Sequence, residues 1–189
     1  MLQIIKKIIN FFMCNILFKV EFVNKNINDN MNNCVICANH LSFAEPIILF
    51  CMNKNICAMS KKELFKNKFL SYIFLKVGMF PIDRGTKDIK AIIHSIKVLK
   101  NNKLLIFPEG KRLKENEHIE AKKGAIYIAM KANAPILPVR IEKKYRNRML
   151  FTKLTITFKD PIYYDNTKIK DKEYLSNEAN KLMDTIYKV

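Results

Sequence analysis

A chain of 189 residues, 49% of them hydrophobic, has the usual size of one domain and can bury a sizeable core of its own. Its four glycines, and the lack of any proline-rich or glycine-serine stretch, exclude a flexible linker between two folded halves. With 34 Lys and Arg against 17 Asp and Glu, the net charge of +17 attracts something acidic, whether nucleic acid, an anionic membrane surface or an acidic protein; a composition rich in Lys, Asn and Ile loads surfaces with Lys whatever the partner.

In chain order, the first element is apolar from Met1 to Phe18, with Lys6 and Lys7 near its start and no small-residue cleavage site after it. Its uninterrupted stretch from Ile8 to Phe18 holds Asn10 and Asn15 and is too short to cross a bilayer, which takes about 20 apolar residues. Ile4, Ile5, Ile8, Phe11, Phe12 and Ile16 recur near helical spacing. This predicts an amphipathic helix over residues 1–17, either membrane-associating, in the headgroup region with Lys6 and Lys7 toward lipid phosphates, or packed on the domain's own core.

From residue 18 to 189, short β-branched or apolar runs alternate with longer helical patterns, the mark of an α/β domain. The predicted strands are Phe18 to Val23, Cys34 to Ala38, Ile56 to Met59, Gly78 to Ile82, Lys103 to Phe107, Ile136 to Ile141 and Leu154 to Phe158. Predicted helices cover Pro46 to Met52 and Leu64 to Leu75. Ile89, Ile92, Ile93, Ile96 and Leu99 share one face of another, and Leu175, Ala179, Leu182, Met183 and Ile186 one face of a terminal helix. The fold expected is a single α/β domain with a mixed, mostly parallel sheet flanked by helices. Cys14, Cys34, Cys37, Cys51 and Cys57 sit mostly in apolar runs and read as reduced core residues. Cys34 and Cys37 lie three apart in a strand and so face opposite sides, and no second pair completes a zinc site.

Chemistry in such domains gathers where strands end, and Asn39-His40-Leu41-Ser42-Phe43-Ala44-Glu45-Pro46 follows one strand directly. Pro46 suits a helix start and biases Glu45 away from helical angles, which puts His40 and Glu45 in one tight turn. Glu45 would then bond one imidazole nitrogen and stabilise the imidazolium, leaving the other nitrogen to take a proton. One His with a carboxylate five positions on arises by chance in many proteins. Three more segments accompany it: Gly78-Met79-Phe80-Pro81-Ile82-Asp83-Arg84, Phe107-Pro108-Glu109-Gly110-Lys111-Arg112 and Ala134-Pro135-Ile136-Leu137-Pro138-Val139-Arg140.

In this order the four segments resemble the four blocks of the 1-acyl-glycerol-3-phosphate acyltransferase family: N-H-x-x-x-x-D, G-x-x-F-I-D-R, F-P-E-G-T-R and a V-P-V-like strand. The resemblance runs from Phe18 to Arg140 and departs at Glu45 for Asp, Pro81 for Phe and Lys111 for Thr. It implies transfer of a fatty acyl group from a thioester of acyl carrier protein or coenzyme A to the free hydroxyl of lysophosphatidic acid, giving phosphatidic acid. It further implies His40 as general base with Glu45 as its partner, direct attack without an acyl-enzyme, and no cofactor or metal. Asn39, Lys62, Asp83, Arg84, Glu109, Gly110, Lys111 and Arg112 fall at the family's substrate-binding positions. Guanidinium forks at Arg84 and Arg112 suit the acceptor's phosphate, with Glu109 orienting the acceptor or an arginine. The protein is expected at the cytoplasmic face of a membrane, peripheral or monotopic.

Lys143, Lys144, Arg146, Arg148 and Lys153 flank Tyr145, Met149, Leu150 and Phe151 in a loop that suits an anionic membrane, an acidic carrier protein or a solvated hairpin. A nucleic-acid partner is not expected, since zinc-finger spacing, an RNP-like aromatic run and a glycine-rich backbone clamp are all missing. Another lysophospholipid as acceptor, or a catalytically silent membrane-binding relative, stays open.

Overall fold

A computed structural model describes residues 2–53, 55–83, 86, 88–112, 121–144 and 152–188. Helix α1 (Leu2–Phe12) runs through a π-helical turn (Met13–Leu17) into strand β1 (Phe18–Val23), and the short α2 (Lys25–Asp29) leads to β2 (Val35–Ala38). Then follow α3 (Ala44–Met52), β3 (Ile56–Lys61), a 3-10 turn (Lys62–Phe65), α4 (Lys68–Val77), β4 (Met79–Ile82), α5 (Ile89–Val98) and β5 (Lys103–Ile106). The chain continues through α6 (Gly124–Ala132), β6 (Ile136–Lys144), β7 (Thr152–Phe158) and α7 (Lys172–Tyr187).

The strands form one seven-stranded sheet in the order β1-β7-β6-β2-β5-β3-β4. Strands β2 to β6 are mutually parallel; β7 runs antiparallel to β6, and β1 runs parallel to β7. This is the mixed, mostly parallel α/β sheet that the alternating pattern predicts, and each predicted strand has its counterpart. The central strands β2 and β5 are buried along their whole length, which is why they read as nearly unbroken apolar runs. Near the edge of the sheet, β7 alternates buried with more exposed residues instead.

Two cores lie on the two faces of the sheet. Ile48 and Leu49 of α3 pack with Ile36, Leu105, Leu137 and Val139; Ile126 and Ala129 of α6 and Leu182 and Ile186 of α7 pack with Val35, Leu104 and Ile136. Cys34 and Cys37 fall in opposite cores, as a two-residue side-chain period demands. Burial raises the Cys34 thiol to about 12 and pushes Cys37 up as well, so neither is poised to form a thiolate.

Several elements differ from expectation. Helix α3 starts at Ala44 and includes Glu45, because Pro46 lies in the first turn, where N–H groups have no partner inside the helix. The single helix predicted over Leu64 to Leu75 is split: the Asn67 side chain accepts from the Phe69 and Leu70 N–H groups and starts α4 afresh. Gly78, expected in a strand, ends α4 in the left-handed region at φ +94°, where its N–H bonds back to Leu75 and Phe74. Helix α6 was not anticipated. Its run Ala125-Ile126-Tyr127-Ile128-Ala129-Met130 is apolar all round and buries five of those side chains, so it carries no stripe to mark it as helical.

The N-terminal helix is formed, but Lys6 and Asn10 face inward, while Lys7 is exposed. Lys6 is buried, donates to the Ile56 carbonyl at 3.0 Å and sits 3.7 Å above the Phe50 ring, while Asn10 donates to the Ile48 carbonyl at 3.2 Å. Lys6 therefore does not point toward lipid phosphates, and loss of solvation lowers its pKa. Ile4, Ile8 and Phe11 are each more than 60% exposed. Among the described residues, no helix is long and apolar enough to cross a membrane.

Candidate active site

Because β2, β3, β4 and β5 are parallel, their carboxyl ends share one edge of the sheet, and the loops that leave this edge carry the motif residues. The first of these loops is anchored by Asn39. Its buried amide donates to the Ile141 carbonyl at 2.9 Å and accepts from the Ile141 N–H at 2.7 Å, adding a side-chain rung to the β2–β6 pairing. Asn39, expected against substrate, is thus occupied in holding the loop that follows it.

His40 comes next, its side chain 12% exposed and its ring stacked on Phe107 with centroids 4.5 Å apart. Its Nδ1 lies 3.5 Å from Glu45 Oε2, a contact longer than a formed hydrogen bond, and has no hydrogen-bond partner among the described residues. Contacts of this kind often tighten only when substrate is bound. Glu45 is fully buried at the start of α3, and Ser42 grips both of its oxygens: the Ser42 N–H donates to Oε2 and the hydroxyl to Oε1, each at 2.5 Å. Burial alone would raise the Glu45 pKa. The His40 contact and the two Ser42 bonds outweigh it, and the carboxyl is held below its ordinary value.

Glu109 is the second buried carboxylate. Its Oε2 accepts from the His40 backbone N–H at 3.1 Å and its Oε1 from the Tyr187 hydroxyl at 2.6 Å. Both oxygens are engaged within the chain, with the His40 backbone and Tyr187, where the sequence leads one to expect the acceptor or an arginine. Here burial prevails over the hydrogen bonds and the pKa is raised. Gly110 follows at φ +69°, a left-handed position that favours glycine, and closes the turn with its N–H on the Phe107 carbonyl.

Arg112 lies beyond that turn, its guanidinium 3.7 Å above the exposed ring of Phe43, which puts it over the His40–Glu45 loop. Lys111 is exposed beside it. Lys62 and Asp83 form a separate ion pair at the ends of β3 and β4. Arg84, Arg146, Arg148 and the aromatic stretch around them in the basic loop lie outside the described residues; Lys143 and Lys144 are the last two residues of β6, and Lys153 is the second of β7. Among the described residues, no group of His, Cys, Asp or Glu is arranged to hold a metal ion.

The structure thus brings His40, Glu45, Glu109 and Arg112 together. Two further contributors escaped the sequence reading. Ser42 could have been found, because Ser-x-x-Glu is the spacing of a capping box, in which the Glu side chain reaches back to the Ser N–H. Tyr187 had no such signal, since it lies on the terminal helix far from every motif.

Residues 19–142 match the family model described as Acyltransferase. The 1-acyl-sn-glycerol-3-phosphate acyltransferase of Bacillus subtilis (strain 168) is 30% identical over 163 residues, covering 83% of this chain and 81% of that protein. The like-named protein of Helicobacter pylori is 32% identical over 165 residues, 76% of this chain and 69% of that one. For the one from Streptococcus pneumoniae, 30% identical over 156 residues, the match takes in 79% of this chain and 58% of the relative. The whole chain superposes on 80% of the crystal structure of the 1-acyl-sn-glycerophosphate (LPA) acyltransferase PlsC from Thermotoga maritima, with a TM-score of 0.70 at 20% identity.

Proposed function

The chain belongs to the acyltransferase family, and on that premise we propose that it moves a fatty acyl group from a thioester of acyl carrier protein or coenzyme A to the free hydroxyl of 1-acyl-glycerol-3-phosphate, giving phosphatidic acid. The observation that carries this reading is the His40 imidazole 3.5 Å from the buried Glu45 carboxylate. With Nδ1 turned to Glu45, Nε2 takes the hydroxyl proton as the acceptor oxygen bonds to the thioester carbonyl carbon. The carbon–sulfur bond then breaks, and the imidazolium returns the proton to the departing thiolate. Glu45 stabilises the imidazolium between those steps, and general-base help of this kind is worth about 10²–10⁴-fold. The guanidinium of Arg112 suits the acceptor's phosphate, and Arg84, Lys62, Asp83, Gly110 and Lys111 complete the acceptor side.

Attachment to an anionic membrane surface, at its cytoplasmic face, belongs to the same proposal. Helix α1 presents Ile4, Ile8, Phe11 and Phe12 outward, and α4 has no buried residue, with Phe69 71% exposed and Tyr72 and Leu75 exposed as well. Lys66, Lys68 and Lys76 stand exposed around this second apolar face. Apolar side chains with Lys around them suit a headgroup region, where each Lys adds about 1 kcal/mol of attraction to anionic lipid.

The test is to incubate purified protein with lysophosphatidate in anionic vesicles and with either acyl-CoA or acyl carrier protein thioester, and to weigh the lipid product. Phosphatidic acid from one donor and not the other identifies the thioester. Product from a different lysophospholipid alone would replace the acceptor, and no product from any pair sinks the reading. Sedimentation with anionic but not zwitterionic vesicles is expected, and protein left in the supernatant with both would remove the membrane from it.

A further inference from the structure

His40 is held at two places, and only one of them lies in the motif that contains it. The imidazole faces Glu45, whereas the backbone N–H donates to Glu109, and Glu109 in turn accepts from Tyr187. Tyr187 is the last residue of α7 and lies beyond residue 142, where the family match ends. Tyr187 is 41% exposed as a residue, yet its hydroxyl is turned inward to a carboxylate that is almost wholly buried. The last turn of α7 is fixed from the sheet side: Arg140 donates to the Tyr187 carbonyl, and Lys159 donates to the carbonyls of Thr185 at 2.6 Å and Lys188 at 2.5 Å. Basic side chains on the final carbonyls are a usual way to satisfy a helix end, and with Leu182 and Ile186 in the core they make that end a rigid platform.

We propose that Tyr187 is a positioning residue for acyl transfer, acting through Glu109 on the backbone of His40. Glu109 has one oxygen for each neighbour. If the phenol is removed, Oε1 is left as a buried carboxylate oxygen without its donor, and the group must turn toward another donor or toward water. Turning it disturbs the bond from Oε2 to the His40 N–H, and the imidazole shifts against the hydroxyl it deprotonates. Misplacement of a catalytic group by about an ångström is enough to cost on the order of a hundredfold in rate. This inference rests on His40 being the base, as proposed above.

The experiment is Tyr187→Phe, which keeps the ring and deletes only the hydroxyl, measured well below its melting temperature beside wild type and His40→Ala. The expected result is a fall in kcat of roughly 10- to 100-fold, with the KM of both substrates within about twofold and the melting temperature close to wild type. In spectra of ¹⁵N-labelled protein, the His40 amide resonance moves while amides of the distant α4 do not. If kcat and the His40 amide are both unchanged, the inference is wrong. If kcat falls only in step with a lowered melting temperature and resonances move throughout, Tyr187 serves general stability and the inference is equally overturned. Should His40→Ala retain full activity, the proposed mechanism fails at its base; an inactive His40→Ala beside a fully active Tyr187→Phe removes Tyr187 alone.

Discussion

Glu45 meets His40 at the ring and Glu109 meets it at the backbone N–H. Both carboxylates are buried, but their surroundings push them apart. Glu45 is gripped by Ser42 and faces the imidazole, and its pKa is lowered; Glu109 is bonded by one N–H and one phenol, and burial raises its pKa. A carboxylate beside a group that becomes positive in the proposed reaction gains from being charged. A carboxylate that only holds backbone and phenol in place has less to offset its loss of solvent. The difference separates electrostatic partnership from scaffolding around one histidine.

The largest effect should come from removing what the two carboxylates share. His40→Ala is expected to lose about 10²–10⁴-fold in turnover. It should leave the fold intact, because the bonds from Ser42 to Glu45 and from the residue 40 N–H to Glu109 do not need the ring. Turnover near wild type, with unchanged circular dichroism, would dissolve the comparison. Next is Glu45→Gln against Glu45→Asp. The amide loses the charge and should cost on the order of a hundredfold or more. Asp keeps the charge but shortens an arm that must reach Ser42 as well as His40, for about a tenfold loss. Equal activity of the two variants would make Glu45 a helix cap and nothing else.

Ser42→Ala should cost less, about three- to tenfold in kcat, since it removes one hydroxyl bond to Glu45 while the Ser42 N–H stays. A larger loss than that of Glu45→Asp would point to Ser42 touching substrate. The smallest effect is on stability against pH. With its folded pKa below the ordinary 4.5, Glu45 contributes stability that is present above that value and lost as pH falls through the lowered one. Glu109, raised above 4.5, does the reverse: as pH climbs from 4.5 through its raised value, the unfolded chain ionises first and folding weakens. Melting curves should therefore show Glu45→Gln flattening the loss of stability toward acid, and Glu109→Gln gaining stability toward neutrality relative to wild type. Slopes of the same sign for both variants would contradict the opposite surroundings of the two groups.

The sheet was legible because its buried strands are short apolar runs bounded by polar residues, and the parallel arrangement followed from their alternation with helical stripes. The comparison of α1 with α7 marks the limit. Both carry apolar residues at helical spacing, yet α7 turns Leu182 and Ile186 into the core while α1 turns Lys6 and Asn10 inward. Periodicity reveals a stripe; which side meets the protein depends on what the neighbour offers, and here that is the carbonyls of Ile56 and Ile48. Of the residues that the motifs single out, His40 and Arg112 stand in loops where strands end and Glu45 at the start of α3. Asn39 and Glu109 stand in the same loops, but what they touch is set by Ile141 and Tyr187, distant in sequence and invisible to any local pattern.

The rung that Asn39 adds beside β6 has a consequence for the order of folding. Its two bonds to Ile141 span 102 residues, and the Glu109 bond to His40 spans another 69. Contacts of such separation demand that long loops close before any gain is returned, so they come late on a folding path. The helix-start bonds between Ser42 and Glu45 are three residues apart and can form early. On a ribosome His40 and Glu45 are thus made together, but the backbone around them stays unset until β6 emerges and docks. A nascent or partly unfolded chain carries every atom of the His40–Glu45 pair without the register that would aim it.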